Sequence, residues 1–241
     1  MANALTKAVK VAWISAWAGV ATFVLFWPVT IAALASKTGN LAFTLTKWWA
    51  CFMLFVTRVQ PTIRFQEKID PRRSYIIISN HQSNYDILAL VTTLGIQFRW
   101  IIKKEIRKVP LFGYALYLAR NIFIDRGKRE EAIRSMKEGL ARLPAGVSVM
   151  CFAEGTRSPD GRLQPFKKGG FIMAIEKGLP ILPVVVNGSR KVMPKKSLVF
   201  TPGPIEVVVG DPIETAGFTQ KDLPELMERT RQAILAYHRG E

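Results

Sequence analysis

Residues 75–90 read YIIISNHQSNYDILAL, and the change of pattern at the centre of this stretch decides the kind of fold. Tyr75-Ile76-Ile77-Ile78 is a run of β-formers short enough for a buried strand. Tyr85-Asp86-Ile87-Leu88-Ala89-Leu90 opens a helix, with Ser83 expected as its cap. A strand that becomes a helix within a few residues is the repeating unit of an α/β domain. The tight return brings the Asp86 carboxylate toward the His81 ring at the strand end. A carboxylate on one ring nitrogen fixes the tautomer and leaves the other nitrogen free to take a proton from a substrate hydroxyl. The bland reading of an isolated histidine before a helix is a hydrogen-bonded loop residue. The other histidine, His238, is expected in the last turn of a terminal helix, complementing its dipole. One usable histidine and no neighbouring cysteine pair leave too few ligands for zinc, so no metal is expected.

Outward from this stretch the same alternation continues. Strands are expected at residues 62–65, 75–79, 98–102, 121–124, 147–152, 181–186 and 205–209, with helices between most of them. Lys128 to Leu143 places Ala132, Ile133, Met136, Leu140 and Leu143 on one face before Pro144 and Gly146 end the helix. Leu223 to His238 closes the chain as a surface helix, with Leu226, Ile234 and Leu235 expected on its buried side. No internal repeat or low-complexity tract interrupts residues 60–241, which are expected to form one α/β catalytic domain.

A second block, CFAEGTRS at residues 151–158, also follows a strand. Gly155 lets the backbone approach a ligand closely. Arg157 can grip a phosphate with two parallel hydrogen bonds, and Lys103, at the end of another expected strand, adds a second cation near His81. Standing alone, the same string is a β-turn with a solvated arginine.

The N-terminal part differs in kind. Val11 to Ser36 holds no Asp, Glu, Lys, Arg or His, and is long enough to cross a bilayer. Lys7, Lys10 and Lys37 flank it, and Trp13, Trp17 and Trp27 lie within it, the pattern of a membrane anchor. A cleaved signal peptide would have a shorter apolar core, and a buried core helix would carry a polar stripe. A second apolar segment, Leu41 to Val59, contains Lys47 and Arg58 and reads as interfacial. Lys37-Thr38-Gly39-Asn40 supplies the turn, so residues 1–59 are expected to form a two-helix membrane hairpin. The chain carries 34 Lys and Arg against 18 Asp and Glu, a net charge of +16 that draws anionic partners. The apolar N-terminal part favours anionic lipid over nucleic acid as that partner, and the basic run Lys103, Lys104, Arg107, Lys108 beside residues 109–118 is a candidate lipid contact. Two cysteines in apolar surroundings imply neither a disulfide framework nor a thiol nucleophile.

SNHQSNYD, with a His and an Asp four residues apart, resembles the signature of the glycerolipid acyltransferases, and FAEGTRS resembles their phosphate-binding block. The likeness runs in order through IIKKEIRKVPLFG (101–113), NIFIDR (121–126) and GLPILPVVVNGS (178–189). It is strongest to the 1-acylglycerol-3-phosphate acyltransferase branch, and departs from it where Ala153 replaces a proline. The resemblance implies a mixed central sheet wrapped by helices, preceded by a two-helix membrane motif. It implies His81 as base and Asp86 as its orienting partner. Arg157 and Lys103 would bind the acceptor phosphate; Glu154, Gly155 and Thr156 would complete that site, with Arg126 a lesser candidate and Pro183 near the acyl donor. The implied reaction is acyl transfer from an acyl carrier protein or coenzyme A thioester to the sn-2 hydroxyl of lysophosphatidic acid. No cofactor is required, and the enzyme would sit at the inner membrane with its catalytic domain facing the cytoplasm. Without a Gly-x-Ser-x-Gly elbow, direct transfer with no acyl-enzyme is expected.

Overall fold

The computed structural model describes residues 3–36, 38–125, 127 and 129–240, with main chain alone for Arg129 and Glu130. Lys37 of the expected turn, Arg126 of the expected site and Lys128 at an expected helix start lie outside the described residues. Seven strands form one sheet: β1 (Gln60–Arg64), β2 (Ile76–Ser79), β3 (Phe98–Lys103), β4 (Ile122–Ile124), β5 (Ser148–Phe152), β6 (Ile181–Asn187) and β7 (Pro204–Val209). Each lies within two residues of an expected run. Their spatial order is β1-β7-β6-β2-β5-β3-β4, parallel throughout except for the antiparallel β6–β7 pair. The sheet is therefore mixed, as expected.

The helices are α1 (Ala4–Ala35), α2 (Asn40–Val56), α3 (Tyr85–Thr93), α4 (Phe112–Leu118), α5 (Arg129–Ala141), α6 (Gly169–Lys177), α7 (Ser189–Val192) and α8 (Leu223–Leu235). Strand residues alternate between two cores, because successive side chains leave a strand on opposite faces. Ile77, Phe98, Met150, Leu182 and Val184 pack with α3 and with Phe43, Ala50, Met53 and Leu54 of α2. Ile76, Ile78, Val149, Cys151 and Val185 pack against Phe171, Met173 and Ala174 of α6 and against Leu226 and Ile234 of α8. Burying each such aliphatic side chain is worth roughly 1.5–3 kcal/mol, which is why the central strands are apolar on both faces.

Helix α2 thus belongs to the core of the sheet, whereas α1 adds only the partly buried Ile14 and Ala18 to it. Of α1, only Ala21, Val29 and Ala32 are buried, while Leu5, Val9, Trp13, Val20, Phe23, Val24, Trp27, Ile31 and Leu34 are exposed. With a mean hydropathy of 1.9, α1 is long and apolar enough to cross a membrane. The hairpin turn is pinned to the start of β3 by Arg99, a fully buried cation. Its guanidinium donates to the carbonyls of Phe98 (2.9 Å) and Thr38 (2.9 Å) and to Asn40 Oδ1 (2.6 Å). Gly39 takes φ 72° at that turn, and a β-carbon there would stand 2.7 Å from Arg120.

Two expectations change at α8. The helix stops at Leu235, so His238 lies beyond it. Leu235 is exposed, and the buried stripe is Leu223, Leu226, Thr230 and Ile234. The four-residue steps from 226 to 230 to 234 stay on one helical face, and the next residue turns away from it.

Candidate active site

Parallel pairing of β2 with β5 sets Ser79 beside Phe152, so the loops that follow both strands emerge at the same sheet end. Carboxyl ends of parallel strands are where open α/β sheets place their ligand sites. His81 Nδ1 lies 2.7 Å from Asp86 Oδ2. The same oxygen accepts the main-chain N–H of Gln82 (2.7 Å) and of Ser83 (2.8 Å). Asp86, in the first turn of α3, thus reaches back to cap the bend that precedes its own helix. Ser83 does not hold the expected cap position, which falls to Asn84. Ser83 instead donates from Oγ to the Met193 carbonyl (2.7 Å) and accepts the Tyr85 N–H (3.2 Å). Asn80 pairs its side chain with both main-chain groups of Val186 on β6, at 2.9 and 2.8 Å.

An imidazole whose Nδ1 faces a carboxylate keeps its proton there, and its Nε2 lone pair is free to accept one. The ring is held flat against Phe152, with centroids 3.7 Å apart and planes 7° from parallel. These constraints fix both the tautomer and the direction in which the base points.

The second block wraps around this pair. Glu154, buried, accepts the His81 N–H at Oε1 (2.7 Å) and the Gln164 N–H at Oε2 (3.1 Å). Ser158 N–H donates to the His81 carbonyl (2.7 Å). Burial pushes the Glu154 carboxyl up to about 7, although its two main-chain N–H partners favour the charged form. Gly155 has φ 70°, and a β-carbon on it would meet the Lys167 side chain at 3.2 Å. Thr156 is exposed. Lys195 Nζ bonds the Arg157 carbonyl and so braces the turn from α7's side of the fold. Among the described residues, no hydrogen bond or ion pair engages the Arg157 guanidinium.

A groove of about 520 Å³ opens beside this centre, with His81, Asn84 and Lys103 at its polar part and Ile14, Ala18, Trp49, Met53, Leu88, Trp100 and Phe152 among its apolar walls. Lys103 ends β3 and is half paired with Glu105 at 3.4 Å. A smaller apolar cavity between α1, α2 and α4 shares Trp49, Leu88, Trp100, Phe112 and Leu116 with the groove. Pro183 lies elsewhere, inside β6 and paired with Ile78, where it is buried.

Cys151 is buried against the Ile77 carbonyl, and burial pushes its thiol up to about 12, as befits an inert core residue. Sequence reasoning missed Phe152, Gln164 and Lys195. Phe152 was within reach, since it lies on the strand beside His81, two residues before Glu154. The other two lie outside the blocks that mark the site, and no local pattern singles them out.

The family model for acyltransferases matches residues 60–187. Human 1-acyl-sn-glycerol-3-phosphate acyltransferase alpha is 36% identical over 77% of this chain and 65% of its own length. The chain therefore spans just under two thirds of that relative. The 1-acyl-sn-glycerol-3-phosphate acyltransferase of Pseudomonas aeruginosa is 34% identical over 75% of this chain and 71% of its own. The crystal structure of the 1-acyl-sn-glycerophosphate (LPA) acyltransferase PlsC from Thermotoga maritima superposes with a TM-score of 0.79 at 25% identity, covering 95% of each chain.

Proposed function

This chain belongs to the acyltransferase family, and on that premise we propose that it transfers a fatty acyl group from an acyl thioester to the sn-2 hydroxyl of lysophosphatidic acid, yielding phosphatidic acid. The observation that carries this reading is the His81–Asp86 pair at 2.7 Å, opening on an apolar groove with Lys103 at its edge. That combination matches a substrate with one reacting hydroxyl, one anionic head and a long apolar chain.

His81 Nε2 takes the proton from the acceptor hydroxyl, whose oxygen attacks the thioester carbonyl carbon. The tetrahedral intermediate collapses, the C–S bond breaks, and the thiolate leaves with the proton returned by the imidazolium. No covalent enzyme intermediate, metal or cofactor enters this scheme. The apolar groove and the cavity beyond it offer room for an acyl chain. Arg157, unengaged among the described residues, and Lys103 are the cations for the acceptor phosphate, with Arg126 a further candidate. Glu154 serves by holding His81 and Gln164, while Gly155 and Thr156 form the turn that presents Arg157.

Residues 1–59 act as a membrane-associated hairpin and 60–241 as the catalytic domain, at the inner membrane and facing the cytoplasm. The exposed apolar face of α1 supports the membrane association, since it would otherwise meet water. Either an acyl carrier protein or a coenzyme A thioester serves as donor.

The test uses purified full-length protein with lysophosphatidic acid, lysophosphatidylcholine, and both donor classes, reading diacyl product by mass spectrometry. Phosphatidic acid from one donor class, with the zwitterionic acceptor disfavoured, is the expected result. Absence of diacyl product with every donor would overturn the proposal.

A further inference from the structure

The loop that carries His81 is supported from behind by a residue that none of the sequence blocks contains. Gln82 follows the base directly, and its main-chain N–H is one of the three donors on Asp86 Oδ2. Its side chain turns away from the groove into the protein, where it is 1% exposed. There its amide meets His238 Nε2 at 3.0 Å, with the Gly161 carbonyl at 3.5 Å. Both contacts are made by the amide nitrogen, and the amide oxygen has no partner among the described residues. Gly240 N–H donates to His238 Nδ1 at 3.2 Å, which leaves the ring proton on Nε2, facing Gln82. A half-turn of the carboxamide would present its oxygen to that proton.

The segment that bears His238 is itself tied down. Asn187, the last residue of β6, donates to the Tyr237 carbonyl (3.0 Å) and accepts the Arg239 N–H (3.2 Å). Arg239 pairs with Glu206 of β7 at 2.8 Å, and the Tyr237 ring lies 5.9 Å from that of Phe65. Burial and the nearby Arg231 charge both pull the His238 value below its ordinary 6.5, so the ring is neutral at physiological pH. A neutral imidazole fixed on a rigid pair of strands is a stop against which Gln82 rests.

Resting on the acyl-transfer reading above, we infer that His238 is a positioning residue for the reaction: through Gln82 it holds the bend that keeps Asp86 on His81. It touches neither substrate nor the reacting atoms. Small displacements of a base from its proton are costly in rate, so the effect falls on turnover more than on acceptor binding.

The experiment compares wild type, His238→Ala, His238→Gln, Gln82→Ala and the His238→Ala/Gln82→Ala pair, each with a thermal melt. His238→Ala is expected to lower kcat roughly 10- to 100-fold with acceptor KM nearly unchanged. His238→Gln, which can still offer a hydrogen bond to the Gln82 amide, should recover most of that loss. The double variant should be no worse than Gln82→Ala alone, because the effect passes through that side chain. Should His238→Ala fail to fold, His238→Asn, whose amide is too short to reach, carries the same expectation. Wild-type kcat in His238→Ala, or additive losses in the pair, would overturn the inference. Inactivity of the wild type on every acceptor and donor would instead overturn the acyl-transfer reading.

Discussion

The Glu154 carboxylate accepts the main-chain N–H of His81 at 2.7 Å, and its other oxygen holds Gln164. The residue that the sequence offers as part of a phosphate site is thus a strut between the two loops, with both carboxylate oxygens taken by main-chain N–H groups. Burial raises this carboxyl from its ordinary 4.5 to about 7. A group that binds its proton more tightly when folded stabilises the fold fully below its unfolded value, and that contribution is lost as pH rises through the folded one. Between about pH 4.5 and 7, the urea midpoint of wild type should therefore fall with rising pH relative to Glu154→Gln. Parallel curves for the two proteins would show that Glu154 does not titrate in that window.

Catalytic substitutions should separate cleanly from binding ones. His81→Ala is expected to cut kcat by roughly 10²- to 10⁴-fold with little change in acceptor KM. Asp86→Asn should act in the same direction, because an amide neither fixes the Nδ1 proton as a carboxylate does nor stabilises the imidazolium. Steady-state kinetics on lysophosphatidic acid decide the matter, and a rise in KM at unchanged kcat would contradict the assignment.

Arg157→Ala should chiefly raise the acceptor KM, since the guanidinium is unengaged among the described residues and free to meet an anion. Lys103→Ala should do so more weakly, as Lys103 already shares its charge with Glu105 at 3.4 Å. If the KM for lysophosphatidic acid does not move in either variant, these cations do not bind the phosphate.

Arg99 is a fully buried cation that burial draws down to about 10, so it stays charged at neutral pH. Arg99→Met removes the donor to the buried Phe98 carbonyl and to the part-buried Thr38 carbonyl and Asn40 Oδ1 at the hairpin turn, and an unpaired buried acceptor costs about 1–3 kcal/mol. The relief of a desolvated charge offsets part of this. Denaturant unfolding in detergent should show a net loss of stability, and limited proteolysis should find the turn around Thr38 and Gly39 more readily cut. A variant as stable and as resistant as wild type would remove Arg99 from this role.

Cys151→Ala should leave kcat within about 2-fold of wild type, because a thiol held near 12 and packed in the core takes no part in transfer. Maleimide labelling in detergent should reach the exposed Cys51 and leave Cys151 unmodified.

All seven strands were legible in the sequence: the central ones, such as β2, β5 and β6, because a strand buried on both faces is apolar nearly throughout, and the edge strand β1 by its alternation and the turn residues around it. The His81–Asp86 pair was legible for a similar reason: both partners lie within one bend, and a local chain reversal has few ways to close. His238 was misplaced by the same kind of reasoning, since helical spacing continued past Leu235 with nothing local to stop it. What the chain order alone determined is the set of elements and the chemistry carried within each short block. Tertiary structure decided which blocks meet: that Glu154 props His81, that Lys195 braces Arg157, and that Arg99 fastens the hairpin at Asn40, 59 residues earlier in the sequence. Those contacts depend on strand order in the sheet, and that order follows from the summed packing of two cores, which no single stretch of sequence contains.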